Sequence, residues 1–169
     1  MKLSGRNAVV LGLGLTGFSL DPASPNALAP GKRPAHTLNA WLATDADGKL
    51  ALVGGTPGAH IQVQTNLQLL VNALDLGMNP QEAVEVPRWQ HVWQELGQNS
   101  GAAPQGSTVL EIENRVETAL VKGLRERGHK VSPIKPWSHG SAAQLLQVLP
   151  SGAYAVGSDP RVDGHAACL

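Results

Sequence analysis

The stretch LALVGGTPGAHIQVQTNLQLLVNALDLG, residues 50–77, carries the signals of a strand, a glycine-rich turn and a helix in immediate succession. Leu50–Gly54 is a short apolar run with the length of a strand. The pattern over Val63–Leu76 is helical, because apolar residues recur at i, i+3, i+4 and i+7 and form one stripe: Leu67, Leu70, Val71 and Leu74. Gly77 is suited to end this helix, since glycine readily adopts the left-handed conformation found at that position.

The neighbouring sequence predicts a hairpin before this stretch and a capped helix after it. Thr37–Thr44 is a predicted strand, and the turn Asp45–Gly48 joins it to the next strand because Asp-Gly is a strong hairpin signal. A second helix is predicted to begin after Asn79, whose side chain can cap the helix reciprocally with Glu82. Pro87 then ends this helix.

The second half of the chain mixes one more helix with short strands. Arg115–Arg127 is predicted to be helical with Asn114 as its cap and Glu117 at the third position, and its core residues are predicted to be Val116, Leu120 and Leu124. The further predicted strands are Asn7–Leu13, Thr108–Ile112, His129–Ser132, Ala143–Leu149 and Ala153–Gly157. Hairpins and helices in this order favour an α+β layered protein.

The composition is that of a globular protein and excludes several function classes. Thirteen basic and thirteen acidic residues balance, so no basic field is present to attract nucleic acid or an anionic membrane. No apolar run approaches the roughly 20 residues of a membrane span, and no signal-cleavage site follows the first residues. We therefore expect a cytoplasmic protein that binds neither nucleic acid nor membranes.

No cofactor or metal is expected. The six histidines show no metal-ligand spacing such as HExxH, and Cys168 is a lone thiol. Residues 12–17 read GLGLTG after a predicted strand, but the prolines that begin at Pro22 prevent the helix that a dinucleotide site needs, and an extended loop is expected instead. Residues 1–17 resemble the opening of the muramyl-peptide ligases that add D-glutamate. We expect 1–16 to be an atypical N-terminal strand segment, followed by one domain over 17–169.

A series of short sequence blocks follows from Gly17 onward. They are Gly17–Pro22, Asn26–Pro34, His36–Leu38, Gly54–Gly58, Gln64–Gln68, Asn72–Ala83, Val86–Trp89, Gly128–Val131, Gly140–Gln144 and Gly157–Gly164. In wording and order these blocks resemble the C-terminal, small-subunit part of the gamma-glutamyltransferase (gamma-glutamyltranspeptidase) family. The wording around His36-Thr37 resembles the bacterial acylase-like branch, because the glutathione-cleaving branch has two serines there.

The resemblance implies an N-terminal-nucleophile hydrolase with an αββα sandwich, which this chain would contain only in part. In such an enzyme the N-terminal threonine, freed by self-cleavage, attacks a gamma-glutamyl amide and is activated by its own amine. The acyl group then passes to water or to an amine. The resemblance therefore implies a gamma-glutamyl small molecule as substrate.

Four residues fall on positions with a role in the family. Gly58 and Ala59 fall on the glycine pair whose backbone N–H groups form the oxyanion hole, and the second glycine is alanine here. Its Cβ penalises any positive φ. His36 and Thr37 fall on the paired-serine position that binds the carboxylate end of the substrate. Thr37 keeps a hydroxyl group there and His36 does not.

The segment that carries the threonine nucleophile in the family lies upstream of the Pro30–Pro34 loop, and Met1–Leu15 stands there instead. The large subunit, which supplies an arginine to the substrate, is also expected as a missing partner. We therefore expect no catalysis from this chain alone. Two readings stay open: part of a gamma-glutamyltransferase-like enzyme, truncated or chimeric, or a non-catalytic remnant that serves as a binding or assembly module. Uncovered apolar faces further predict marginal stability or self-association.

Overall fold

The structure, a computed structural model, describes residues 17–93 and 108–167. The predicted strand Asn7–Leu13, most of the 12–17 motif and Cys168 lie outside these residues, so the proposed segment 1–16 stays a prediction. By its internal contacts the chain forms two compact units, residues 1–38 and residues 39–169. Each unit is described by itself below.

The described part of the first unit is a proline-rich loop, as predicted. Ser19 pairs with the segment around Ala27, since its N–H donates to the Asn26 carbonyl over 2.9 Å and its carbonyl accepts from the Leu28 N–H over 3.0 Å. Residues 32–39 have no strand structure. The prediction that the first strand begins at Thr37 is therefore wrong, and the strand begins at Ala40.

The second unit contains the regular elements. In chain order they are β1 (Ala40–Thr44), β2 (Leu50–Gly55), α1 (Gln62–Leu70), α2 (Pro80–Glu85), β3 (Trp89–Trp93), β4 (Thr108–Glu113), α3 (Thr118–Glu126), β5 (Val131–Ile134), β6 (Gln144–Val148) and β7 (Tyr154–Ser158). Strands β1, β2, β6 and β7 form an antiparallel sheet in that order, and β3, β4 and β5 form a second sheet. The hairpin predicted at Asp45–Gly48 is confirmed, because β1 and β2 pair antiparallel across it.

The core lies between one face of the four-stranded sheet and the two helices α1 and α2. Its buried residues are Leu52, Leu69, Ala73, Ala83, Val84, Ala143 and Leu145. Close approach of α2 to the sheet requires a glycine in β7, because a Cβ on Gly157 would lie 2.2 Å from the carbonyl oxygen of Pro80. The helix and the strand touch backbone to backbone at this point.

The opposite face of the same sheet carries a row of apolar side chains. Leu42, Val53, Leu146 and Val156 are cross-strand partners in one row. Leu42 is 71% exposed, and the other three are only half-buried. Such a row is typical of a sheet face that packs against a further layer.

Of the predicted apolar stripe on α1 and the turn after it, only Leu70 packs against the core. Leu67 and Leu74 are 55% and 59% exposed, and Val71 is exposed as well. The buried face instead carries Thr65 and Asn66, and Asn66 accepts a 3.0 Å hydrogen bond from the Trp41 indole. The periodicity identified the helix correctly, but the face that packs on the sheet combines the buried Leu69 with side chains that hydrogen-bond.

Strand β3 was not predicted from the sequence. The backbone at its outer edge is hydrogen-bonded by side chains of α1. The side-chain amides of Gln64 and Gln68 each pair with a backbone N–H and C=O, as a neighbouring strand would. Gln68 accepts from the Trp89 N–H over 3.1 Å and donates to its carbonyl over 2.9 Å. Gln64 makes the same pair of bonds with His91, at 2.7 and 3.1 Å. A strand stabilised in this way leaves no pattern in its own residues.

The two later helices differ in how well their starts were predicted. Asn79 and Glu82 form the predicted reciprocal cap of α2, with both bonds at 2.9 Å. The start predicted for α3 at Arg115 is wrong, because residues 114–117 are not helical and the helix begins at Thr118. The Asn114 N–H donates to the Ile134 carbonyl and so extends the second sheet instead of capping a helix. Leu120, predicted as core, is 48% exposed.

Candidate active site

The glycine-rich turn after β2 is the candidate site, because two of its backbone N–H groups have no acceptor among the described residues. Residues 56–58 lead into a turn of 3-10 helix, Ala59–Ile61, which α1 continues. Ala59 and His60 are exposed. The Ile61 N–H donates to the Gly58 carbonyl over 3.2 Å, whereas the N–H groups of Gly58 and Ala59 donate to no described residue. Unpaired N–H groups at the start of a helix suit a negatively charged oxygen.

Position 58 requires glycine for two reasons. Its φ is 131°, a conformation that side chains disfavour. A Cβ there would lie 2.8 Å from the Ser141 Cβ and 3.1 Å from an Ile61 carbon. The backbone at Gly58 therefore runs against the loop that carries Ser141.

Ala59 occupies the left-handed region, with a φ of 52°. The Cβ penalty anticipated from the sequence is thus present in the structure. A non-glycine residue in this region costs about 1–2 kcal/mol. Strain of this kind clusters at functional sites, where the surrounding structure holds it in place.

Replacing Ala59 by glycine is expected to stabilise the chain by about 0.5–1 kcal/mol, because relief of the left-handed strain exceeds the entropy cost of glycine. The matched control is Ala51→Gly in β2, where the backbone is extended and the same change is expected to destabilise by about 0.5–1 kcal/mol. Urea unfolding of both variants measures whether each substitution raises or lowers the free energy of unfolding. Destabilisation by Ala59→Gly would contradict the strain at this turn.

The two other predicted site residues lie in the first unit. His36 and Thr37 are both exposed and lie in the segment without regular structure. Gly58 and Ala59 belong to the second unit, so the combination of all four residues in one site stays a prediction.

A buried cluster of charges joins the two sheets: Arg88 precedes β3 and Glu113 ends β4 in the second sheet, whereas Asp159 and Arg161 follow β7 of the first. Arg88 Nη1 lies 2.5 Å from an oxygen of Asp159, and Arg161 contacts Asp159 at 3.0 Å and Glu113 at 2.6 Å. The side chains of Glu113 and Asp159 are fully buried. Glu113 also accepts hydrogen bonds from the Arg88 N–H, at 3.2 Å, and from Arg115, at 2.9 Å. Asp159 and Arg161 thus pair within the loop that follows β7.

Burial and ion pairing together lower the pKa of Glu113 and raise the pKa of Arg161. Burial alone raises the pKa of Glu113, but hydrogen bonds from Arg161 and Arg115 outweigh it and lower the pKa to about 2. For Arg161, burial lowers the pKa, but Glu113 and Asp159 outweigh it and raise the pKa above its ordinary value. Glu113 is therefore ionised at neutral pH.

Stability is expected to fall by about 3 kcal/mol as the pH drops from about 4.5 to about 2. The pKa of Glu113 is lowered on folding from 4.5 to about 2. Its contribution is therefore complete above the unfolded pKa and is lost as the pH falls through the folded pKa. Urea unfolding between pH 7 and about pH 2 measures the loss, and Glu113→Gln should flatten this part of the pH profile. If the free energy of unfolding of Glu113→Gln fell equally steeply with pH, the assignment of this loss to Glu113 would be contradicted.

His139 lies between the cluster and the glycine turn. Burial, reinforced by the charges of Arg88 and Arg161, lowers the pKa of His139 below its ordinary value. Its Nδ1 lies 3.2 Å from the Ser141 backbone nitrogen and 3.4 Å from the Ser141 carbonyl oxygen. Nearby, the guanidinium of Arg115 stacks on the Trp137 ring, 3.4 Å from the ring centre. Trp137 has a positive φ of 57°.

Sequence reasoning missed Arg88 and Glu113. One signal was available for Glu113, since it ends the run TVLEIE on a strand where a charge inside an apolar sequence needs a partner. Arg88 stood inside a block that was quoted only for its resemblance.

Within the described ranges, no three His, Cys, Asp or Glu side chains are grouped as a metal site. No helix of those ranges is long and apolar enough to cross a membrane.

The comparison with known proteins decides the family. A sequence model described as Gamma-glutamyltranspeptidase matches residues 13–169. The chain belongs to the gamma-glutamyltranspeptidase family. The oxamate amidohydrolase proenzyme of Klebsiella pneumoniae subsp. pneumoniae is 38% identical over 152 residues, which cover 89% of this chain and 27% of that protein.

Solved structures agree with the membership in the gamma-glutamyltranspeptidase family. A cephalosporin acylase from Bacillus halodurans matches with a TM-score of 0.70 and 31% identity, over 91% of this chain and 26% of that one. The gamma-glutamyltranspeptidase of Pseudomonas nitroreducens shares the fold with a TM-score of 0.72 and 20% identity, over 99% of this chain and 86% of that one. The predicted α+β fold of the N-terminal-nucleophile hydrolases is confirmed. The chain spans about a quarter of the length of its Klebsiella relative.

Proposed function

We propose that the chain supplies the oxyanion-binding turn of an enzyme that hydrolyses or transfers gamma-glutamyl groups from amides. The observation that carries the proposal is the turn at Gly58 and Ala59, where two N–H groups that donate to no described residue lie at the start of a helix. Attack on an amide places a negative charge on the carbonyl oxygen. Donors held in position for that charge contribute about 3–4 kcal/mol each to the lowering of the barrier.

In this proposal the nucleophile comes from a part of the enzyme that this sequence does not include. The threonine that attacks the amide in the family lies upstream of the Pro30–Pro34 loop, and here the chain contributes backbone donors and a binding hydroxyl. Thr37 binds the carboxylate end of the substrate through its hydroxyl, and His36 stands beside it. We expect gamma-glutamyl amides as substrates, while the name of the Klebsiella relative makes oxamate the second substrate to assay.

The uncovered apolar surfaces support a partner that bears the nucleophile. Val63 on α1 is 72% exposed and lies on the same face as Leu67 and Leu74. Across the sheet, Leu42 heads the half-buried apolar row on the face opposite the helices. We propose that the remainder of the enzyme, including its large subunit, covers these two surfaces. Alone, the chain is then expected to be marginally stable or to self-associate.

The experiment is release of p-nitroaniline from gamma-glutamyl-p-nitroanilide. The purified chain is assayed alone and after refolding together with the nucleophile-bearing remainder of the Klebsiella relative, and ammonia release from oxamate is followed in parallel. We expect no turnover by the chain alone and turnover by the assembly. In the assembly, Thr37→Ala should raise KM about 10-fold or more, since it removes a hydrogen bond to a charged group.

Two results would overturn parts of this proposal. Turnover by the chain alone that disappears in Thr37→Ala would place a nucleophile within these residues. An assembly that forms with the remainder but never hydrolyses either amide would favour the alternative, a non-catalytic binding or assembly module. The exposed face of α1 is the observation that keeps this alternative in view. A monodisperse monomer with a reversible two-state melt would contradict the expected partner.

A further inference from the structure

Ser141 links the loop before β6 to the glycine turn. It is 2% exposed, and its Oγ donates to the Pro57 carbonyl over 2.5 Å, although the two residues are 84 positions apart in sequence. Its Cβ and Oγ lie 2.8 and 2.9 Å from the position that a Cβ on Gly58 would occupy. The serine therefore packs directly against the Pro57–Gly58 peptide.

The backbone of Ser141 is held on both sides by the buried charge cluster. Its N–H donates to His139 Nδ1 over 3.2 Å, and its carbonyl accepts from Arg88 Nη1 over 2.8 Å. The N–H of His139 in turn donates to Glu113 over 3.3 Å. These contacts fix the backbone of Ser141, and its hydroxyl group is free of them and bonds to the turn.

The Pro57 carbonyl and the Gly58 N–H belong to the same planar peptide group and point in opposite directions. A hydrogen bond that fixes the carbonyl toward Ser141 therefore fixes the Gly58 N–H away from it. Gly58 has no side chain to restrict its own backbone, and its conformation is one that an unrestrained peptide would leave. The orientation of this N–H consequently depends on an external contact.

We propose that Ser141 is a positioning residue that aims the Gly58 N–H, with the Arg88, Glu113 and His139 contacts as its support. The inference rests on the proposed function, which makes this N–H an oxyanion donor. It assigns the buried charges a role beyond stability, because they determine where the serine hydroxyl stands. Ser141 does not touch the substrate in this proposal and acts only through the peptide group.

The test measures N–H residual dipolar couplings by NMR on the purified chain and on the variant Ser141→Ala. The coupling of each N–H reports its orientation, so a residue that only contributes stability would leave the Gly58 coupling unchanged. We expect the Gly58 coupling to fall at least twofold in Ser141→Ala as the peptide group becomes mobile. The couplings of Leu52 and Leu145 in the core should remain at their wild-type values.

The matched control is Ser138→Ala in the same loop. Ser138 Oγ also donates to a carbonyl, that of Lys135 over 2.7 Å, but the residue is exposed. Its removal should leave the Gly58 coupling unchanged. If Ser141→Ala does not fold, Ser141→Cys keeps the side-chain size with a weaker donor and carries the same comparison.

An unchanged Gly58 coupling in the folded Ser141 variant would overturn the inference. This outcome is distinct from failure of the proposed function, because the coupling is measured without substrate or nucleophile. Should the assembly never hydrolyse an amide while the Gly58 coupling still depends on Ser141, the positioning role stands and the oxyanion role is lost.

Discussion

Replacing Glu113 by alanine will lower the free energy of unfolding by about 3–5 kcal/mol, since removing one partner of a buried ion pair leaves the others uncompensated. Arg161 would then keep a buried guanidinium with only Asp159 opposite it. The His139 and Arg88 N–H groups would also lose their shared acceptor. A loss of this size is a large part of the stability of an ordinary domain.

Urea unfolding at pH 7 and low temperature measures the effect. The matched control is Glu126→Ala, which breaks an exposed pair with Lys122 at 3.7 Å and should change the free energy by less than about 0.5 kcal/mol. A loss below about 1 kcal/mol in Glu113→Ala would contradict the view that the cluster holds the loops together.

Gly58→Ala is expected to have the largest effect on activity. In the assembled enzyme we expect kcat to fall by about 10²–10³-fold, the cost of one misplaced oxyanion donor. The cause is local, because the new Cβ would lie 2.8 Å from Ser141 and push the Pro57–Gly58 peptide away. In the chain alone, the free energy of unfolding should fall by about 2–3 kcal/mol through strain and overpacking.

Gly77→Ala separates these two causes. Gly77 also has a positive φ, 66°, but nothing lies within 4 Å of the position of its Cβ. Its replacement should cost only about 1–2 kcal/mol of backbone strain and leave kcat unchanged. Equal kcat values for Gly58→Ala and Gly77→Ala would show that the glycine turn does not take part in the reaction.

The local rules in the sequence determined several elements directly. The turn ending in Asp47-Gly48 specified the β1–β2 hairpin, and Asn79 with Glu82 specified the start of α2, because both signals act within a few residues. The positive φ of Gly77 followed from its place after a helix. The order of short blocks further identified the family and pointed to Gly58 and Ala59.

The tertiary structure alone decided which surfaces are inside. Most of the apolar stripe of α1 lies outward, and only Leu70 packs on the core. The buried side of the helix instead hydrogen-bonds to Trp41 and to the edge of β3 through Asn66, Gln64 and Gln68. The contact of Ser141 with the turn could not be predicted from the sequence either, since its partner Pro57 is 84 residues away. Hydrogen bonds between distant segments leave no periodic pattern in either segment. Sequence therefore determined the local elements and the family, and packing determined what supports the site.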